Sequence, residues 1–175
     1  MPSSKNTSAI LLAAAVFFIL GLFVHSWMIQ KNHAGVTKMV FDHATAWETG
    51  NEDLLASLLH DDVVFAYPGR RLNKEQTLED LRFFRDAYAD TKVYIHTIVI
   101  EGDTVAVEWQ FATTKKETGK REVVSDAIIG TVRDGKFIVW KEYLDGRVKG
   151  LQAEGELPLE EGDEPFPWPL RPKTP

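Results

Sequence analysis

The chain has 175 residues, 44% hydrophobic and 26% charged, which allows one domain of ordinary size with extensions and excludes disorder throughout. Its formal net charge of −6 is uneven: residues 151–175 hold six acids against Arg171 and Lys173, whereas residues 1–33 hold Lys5 and Lys31 and no acid. No basic cluster exceeds the turn carrying Lys115, Lys116, Lys120 and Arg121, which argues against a nucleic-acid partner, and the absence of cysteine excludes disulfides, thiolate catalysis and cysteine-ligated zinc.

Residues 9–29 form an almost unbroken apolar run without Asp, Glu, Lys or Arg. As a helix, about 21 residues would extend ~31 Å, enough to cross a bilayer. Two readings follow: an uncleaved signal anchor, or a signal peptide cleaved after Ser26, with Val24 and Ser26 as the small residues of the site. The length of the run and the bulk of Phe23, His25 and Trp27 favour the anchor. Lys5 and the terminal amine favour a cytoplasmic amino terminus, which places the following domain on the extracytoplasmic (periplasmic or extracellular) side of a membrane.

The spacing of Val36, Val40, His43 and Trp47 predicts an amphipathic helix over 34–49, ended by Gly50. Asn51 is placed to cap a short second helix through Leu54, Leu55, Leu58 and Leu59. Residues 62–67 alternate as a strand, stopped by Pro68 and Gly69. Asn73 with Gln76 reads as a capping box that opens a third helix, with Leu78, Leu81, Phe84 and Tyr88 as its buried stripe. From Thr91 the period becomes two. Strands are predicted over 92–101, 104–114, 122–133 and 136–144, joined by turns at Gly102-Asp103, Gly119 and Asp134-Gly135. Consecutive hairpins make an antiparallel meander whose apolar face must be covered by the helices, so the fold class is α+β. The organisation is then 1–33 as the anchor, 34–150 as the domain, and 151–175 as an acidic, proline-rich tail expected to be flexible, part of which Phe166 and Trp168 could pin onto the domain.

Two acids stand out within these strands. Asp126 shares a face with Val124, Ile128, Gly130 and Val132, and Glu142 shares one with Ile138, Trp140 and Leu144. An ionised carboxylate on a dry face needs a partner, a raised pKa or a wet cavity, so neighbouring strands carrying one each suggest a pocket. They are read either as structural acids bonded to Tyr, Trp or Arg, or as an acid–base pair. His43, on the buried stripe of the first helix, is either a hydrogen-bonded core residue or a pocket acid–base group. His60, Asp61 and Asp62 read as solvated turn residues, and no metal site is expected.

The order of elements, together with Trp47 to Asn51, His60 to Phe65, and Asp134 to Lys136 followed by Trp140 to Asp145, resembles the SnoaL-like branch of the nuclear transport factor 2-like superfamily over residues 34–149. The resemblance implies three helices packed on a strongly curved antiparallel sheet, a cone-shaped, cystatin-like α+β roll. It implies further that core and cavity wall are one surface, so that Phe65, Tyr67, Val107, Trp109, Phe111 and Trp140 line a ligand site. The catalytic sets of that scaffold are incomplete here. Tyr67, before Pro68, stands where ketosteroid isomerases carry a base, and His43 where they carry an oxyanion-hole Tyr. The Asp–Arg–Asp set of limonene-epoxide hydrolases falls on Phe111, Trp109 and Glu142.

The resulting expectation is a membrane-tethered domain binding a small hydrophobic or amphipathic molecule. His43, Asp126 and Glu142 would supply proton transfer of isomerase, cyclase or hydratase type, and Tyr67 a hydrogen bond, without a cofactor. The alternative is a non-enzymatic assembly module using its sheet surface, similar in layout to inner-membrane components of type IV secretion systems. A homodimer through the sheet face is expected from the superfamily.

Overall fold

The structure, a computed structural model, describes residues 4–159, 164 and 166, with the side chains of 4–16, 25 and 29 left aside. Elements follow in the order α1 (Ser4–Thr49), α2 (Glu52–Leu58), β1 (Leu59–Tyr67), β2 (Arg70–Leu72), α3 (Lys74–Ala87), β3 (Tyr88–Glu101), β4 (Thr104–Lys115), β5 (Arg121–Arg133), β6 (Lys136–Tyr143) and α4 (Val148–Glu154). They divide into two compact units, Met1–Thr37 and Lys38–Pro175.

The first unit is helical. α1 is one continuous helix rather than a separate amphipathic helix beginning at residue 34, because no proline interrupts the join between the apolar run and the amphipathic stretch. Among the described residues no helix is long and apolar enough to cross a membrane. The expected transmembrane helix is therefore not supported there. Part of the predicted run, residues 9–16, lies outside the described side chains.

The second unit is α+β. Asn51 caps α2 by accepting from Leu54 N, and Asn73 with Gln76 forms the full capping box on α3, so both helix starts follow their side-chain signals. Leu55, Leu58 and Leu81 are buried, as the helical stripes require. The hairpin turn at Asp134 and Gly135 has φ of 52° and 71°, the doubly positive pair that matches strand twist, and Gly adopts it without strain.

The six strands among the described residues form one sheet, in the order β2-β1-β6-β5-β4-β3. Three expectations are corrected here. The sheet is mixed rather than antiparallel, because β6 returns beside β1 and runs parallel to it, with Phe65 opposite Trp140. It is not strongly curled: its edges, β2 and β3, stay unpaired with each other, and β2 is only three residues long. Two short elements, β2 and α4, were not anticipated, since neither is long enough to show a period.

One sheet face packs on the helices through Val63, Phe65, Val107, Trp109, Phe137 and Trp140. An irregularity in the β5–β6 pairing between Thr131 and Val132 lets Phe137 join Trp140, their rings 4.8 Å apart edge to face. On the opposite face Phe166 is buried against Ala112 and Val123, with Tyr94 beside them. Glu164 accepts from Tyr94 Oη at 2.5 Å and from Arg121 Nε at 3.0 Å. The tail is thus pinned through Phe166, while Trp168 lies outside the described residues.

Candidate functional site

A cavity of about 460 Å³ opens between α3, the helix-facing side of the sheet and α4. Its wall includes Trp47, Phe65, Trp109 and Phe111, with Asp126 and Glu142 on the sheet and Lys149 on α4. The pleat places the two acids together. Trp109 pairs with Asp126 across β4–β5, and Ile128, two residues on from Asp126 and on its face, pairs with Glu142 across β5–β6.

Each acid is held by an indole. Trp109 Nε1 donates to Asp126 Oδ2 at 3.3 Å, and Tyr143 N donates to Oδ1 at 3.1 Å. Trp140 Nε1 donates to Glu142 Oε1 at 3.0 Å. Burial pushes Asp126 up to about 6, against those hydrogen bonds and the Lys149 charge. Burial and then the Asp126 charge push Glu142 up to about 8, against the Trp140 bond and Lys149. Both carboxyl groups are thus raised from the ordinary carboxylate range towards neutral pH, where a carboxyl group can exchange a proton with a ligand.

The remaining predicted residues fall in two places. Phe65, Tyr67, Trp109 and Phe111 line the cavity. Tyr67 does so with its hydroxyl committed: it donates to Asp80 Oδ2 at 2.5 Å, and burial and that bond push its pKa up to about 12. Val107, Trp140 and His43 are buried behind the wall rather than on it. His43 stacks on Trp140 with ring centres 4.0 Å apart and lies among Trp109, Phe65 and Phe137. Neither of its nitrogens has a partner among the described residues, and burial holds its pKa at about 3, so the imidazole is neutral.

Sequence reasoning missed Lys149, Asp80 and Tyr88 on the wall. Lys149 follows the last strand in a stretch without periodicity, and only the turn at Asp145, where the side chain accepts from Arg147 N at 3.0 Å, hints that the chain folds back. His60, Asp61 and Asp62 lie at the start of β1 rather than in a turn, since the strand follows α2 directly; Asp61 pairs with Lys74 at 2.8 Å and His60 Nδ1 accepts from Asp62 N at 3.1 Å. Among the described residues no three His, Cys, Asp or Glu side chains converge on a common metal position.

Comparison with known proteins agrees with this fold. Similar solved structures include a ketosteroid isomerase-like protein from Catenulispora acidiphila in complex with trimethylamine (20% identity, 69% of this chain and 93% of that one, TM-score 0.61). The candidate polyketide cyclase IdmH from Streptomyces antibioticus is also similar (20% identity, 67% and 97%, TM-score 0.61). So is an epoxide hydrolase of M. tuberculosis resembling limonene-epoxide hydrolases (23% identity, 67% and 87%, TM-score 0.59). At such identities these likenesses establish the fold. No curated protein matches in sequence. The SnoaL-like domain model matches residues 40–140, which run from the end of α1 into β6 and include Asp126 but stop short of Glu142, and the chain belongs to the SnoaL-like domain family of the nuclear transport factor 2-like superfamily.

Proposed function

We propose that the domain binds a small hydrophobic or amphipathic molecule in its cavity and moves a proton on it, in chemistry of isomerase, cyclase or hydratase type. The observation that carries this reading is the Asp126–Glu142 pair, a buried and a half-buried carboxyl group on one apolar cavity wall, each held by an indole N–H and both raised by burial. Asp126 is the base: it accepts a proton from a carbon next to a ligand carbonyl. Glu142 is the acid: its proton goes to the oxygen on which charge develops. The two indoles hold the carboxyl groups in place, and His43 acts as a positioning residue by backing Trp140. Native mass spectrometry of the full-length chain should reveal a co-purifying molecule whose acidic C–H exchanges in deuterated solvent with the native chain and not with Asp126→Asn. Absence of any bound molecule, or exchange undiminished in the variant, overturns the reading.

Tethering of the domain to a membrane, on its extracytoplasmic side, is part of the same proposal. It is supported by the apolar run in the sequence and by Phe17, Phe18, Phe23 and Trp27, which are exposed on α1 where water would penalise them. A second reading, an assembly module, draws support from Val99, Ile129 and Tyr143, which stand exposed on the sheet face away from the cavity.

A further inference from the structure

One charged group of the cavity has no hydrogen-bond partner among the described residues, although the charges of Glu122, Glu142 and Asp126 act on it through space. Lys149 Nζ lies 5.1 Å from the ring centre of Phe111, 5.7 Å from Tyr88 and 5.8 Å from Phe84. Every other charged or hydroxyl-bearing group named on the wall, apart from Tyr88, has a polar partner. Tyr67 and Arg70 are both taken by Asp80, at 2.5 and 3.5 Å. Asp126 accepts from Trp109 and Tyr143, and Glu142 from Trp140. No acceptor among the described residues lies within hydrogen-bond reach of the Lys149 ammonium.

Ring faces attract a cation but accept none of its three N–H bonds in ordinary geometry. A half-buried ammonium facing an apolar cavity is therefore matched by an oxygen that arrives with the ligand. We propose that Lys149 anchors the carboxylate of an amphipathic monocarboxylic acid whose apolar body lies against Trp47, Phe65 and Trp109. The inference rests on the ligand-cavity reading above and narrows its substrate class. One negative charge suits the site. A dianion such as a phosphate monoester does not, because the Asp126 carboxylate shares the wall and repels the second charge. Lys149 stands on α4 and the two acids on the sheet, so the acid end of the ligand sits towards that helix and its reacting carbon towards the sheet.

Calorimetric titration of the full-length chain at pH 7 with 2-naphthoate, 2-naphthamide and 2-naphthyl phosphate tests this directly. The native chain is expected to bind the carboxylate about tenfold or more tightly than the isosteric amide, as one charge-assisted contact in an apolar site allows, and the phosphate no more tightly than the carboxylate. Lys149→Met should erase the preference while changing amide affinity less than about twofold, and Lys149→Arg should keep part of it. Circular dichroism of both variants checks the fold. If Lys149→Met does not fold, the native ratio and Lys149→Arg still decide. Equal native affinity for carboxylate and amide, a preference that survives Lys149→Met, or phosphate as the tightest ligand overturns the assignment of Lys149. Amide binding without a carboxylate preference overturns that assignment alone. Binding of none of the three probes overturns the cavity reading, and this inference with it.

Discussion

Glu142→Gln removes one ionisable proton from the cavity wall while keeping the side-chain volume and the carbonyl oxygen that accepts from Trp140 Nε1. In the native chain this carboxyl is raised from 4.5 to about 8, first by burial and then by the charge of Asp126. A folded-state value above the unfolded one means that the protonated form favours the folded state. Its contribution is full below pH 4.5, is lost as pH rises towards 8, and is absent above. A rise of that size corresponds to about 5 kcal/mol at 1.36 kcal/mol per pH unit. Part of it is the mutual repulsion with Asp126, itself raised to about 6, so roughly half, ~2–3 kcal/mol, is assigned to the single substitution. Gln carries no such pH dependence. Glu142→Gln should match the native chain within ~0.5 kcal/mol at pH 4.5 and exceed it by ~2–3 kcal/mol at pH 9, or roughly 10 °C in Tm. Thermal unfolding of both chains at pH 4.5, 7 and 9, followed by tryptophan fluorescence, measures the difference. A Tm difference that is the same at all three pH values refutes the argument that Glu142 is protonated in the folded domain.

His43→Phe should leave stability unchanged or raise it by about 1 kcal/mol, because a ring of similar shape replaces an imidazole whose two nitrogens lack partners in the aromatic cluster. Denaturant titration reads this, and a loss above ~2 kcal/mol would mean that the imidazole makes an essential polar contact. For the proposed tether, membranes from cells expressing the full-length chain should retain it through alkaline carbonate extraction, while protease added to the extracytoplasmic side should cleave the domain. Release by carbonate, or protection from the protease, contradicts the anchor or its orientation.

Local signals were legible wherever they rest on neighbouring residues. Asn51 and Asn73 cap helices because their side chains reach backbone N–H groups two or three positions on, an interaction complete within one turn. The Asp134-Gly135 turn is likewise settled by the positive φ it demands. The buried face of β4 to β6 followed from period two as far as Trp109, Asp126, Trp140 and Glu142, all of which it placed correctly. At Ile138 it failed, because the β5–β6 irregularity brings Phe137 onto the same face as Trp140.

What the sequence by itself determined is therefore the second and third helices, the five longer strands, the side of the sheet that carries the acids, and the family. Each of these depends on spacing along one strand or one turn. Only the tertiary structure decided which buried residues face space and which face packing. His43, Val107 and Trp140 share the apolar pattern of Phe65 and Trp109 yet sit behind the wall, since periodicity reports burial and cannot distinguish a cavity from a core. The parallel β1–β6 pairing and the arrival of Lys149 beside Phe84, Tyr88 and Phe111 are contacts between segments far apart in the chain. They arise from how the helices and sheet close on one another, and it is that closure which puts two acids from separate strands on the wall of one cavity.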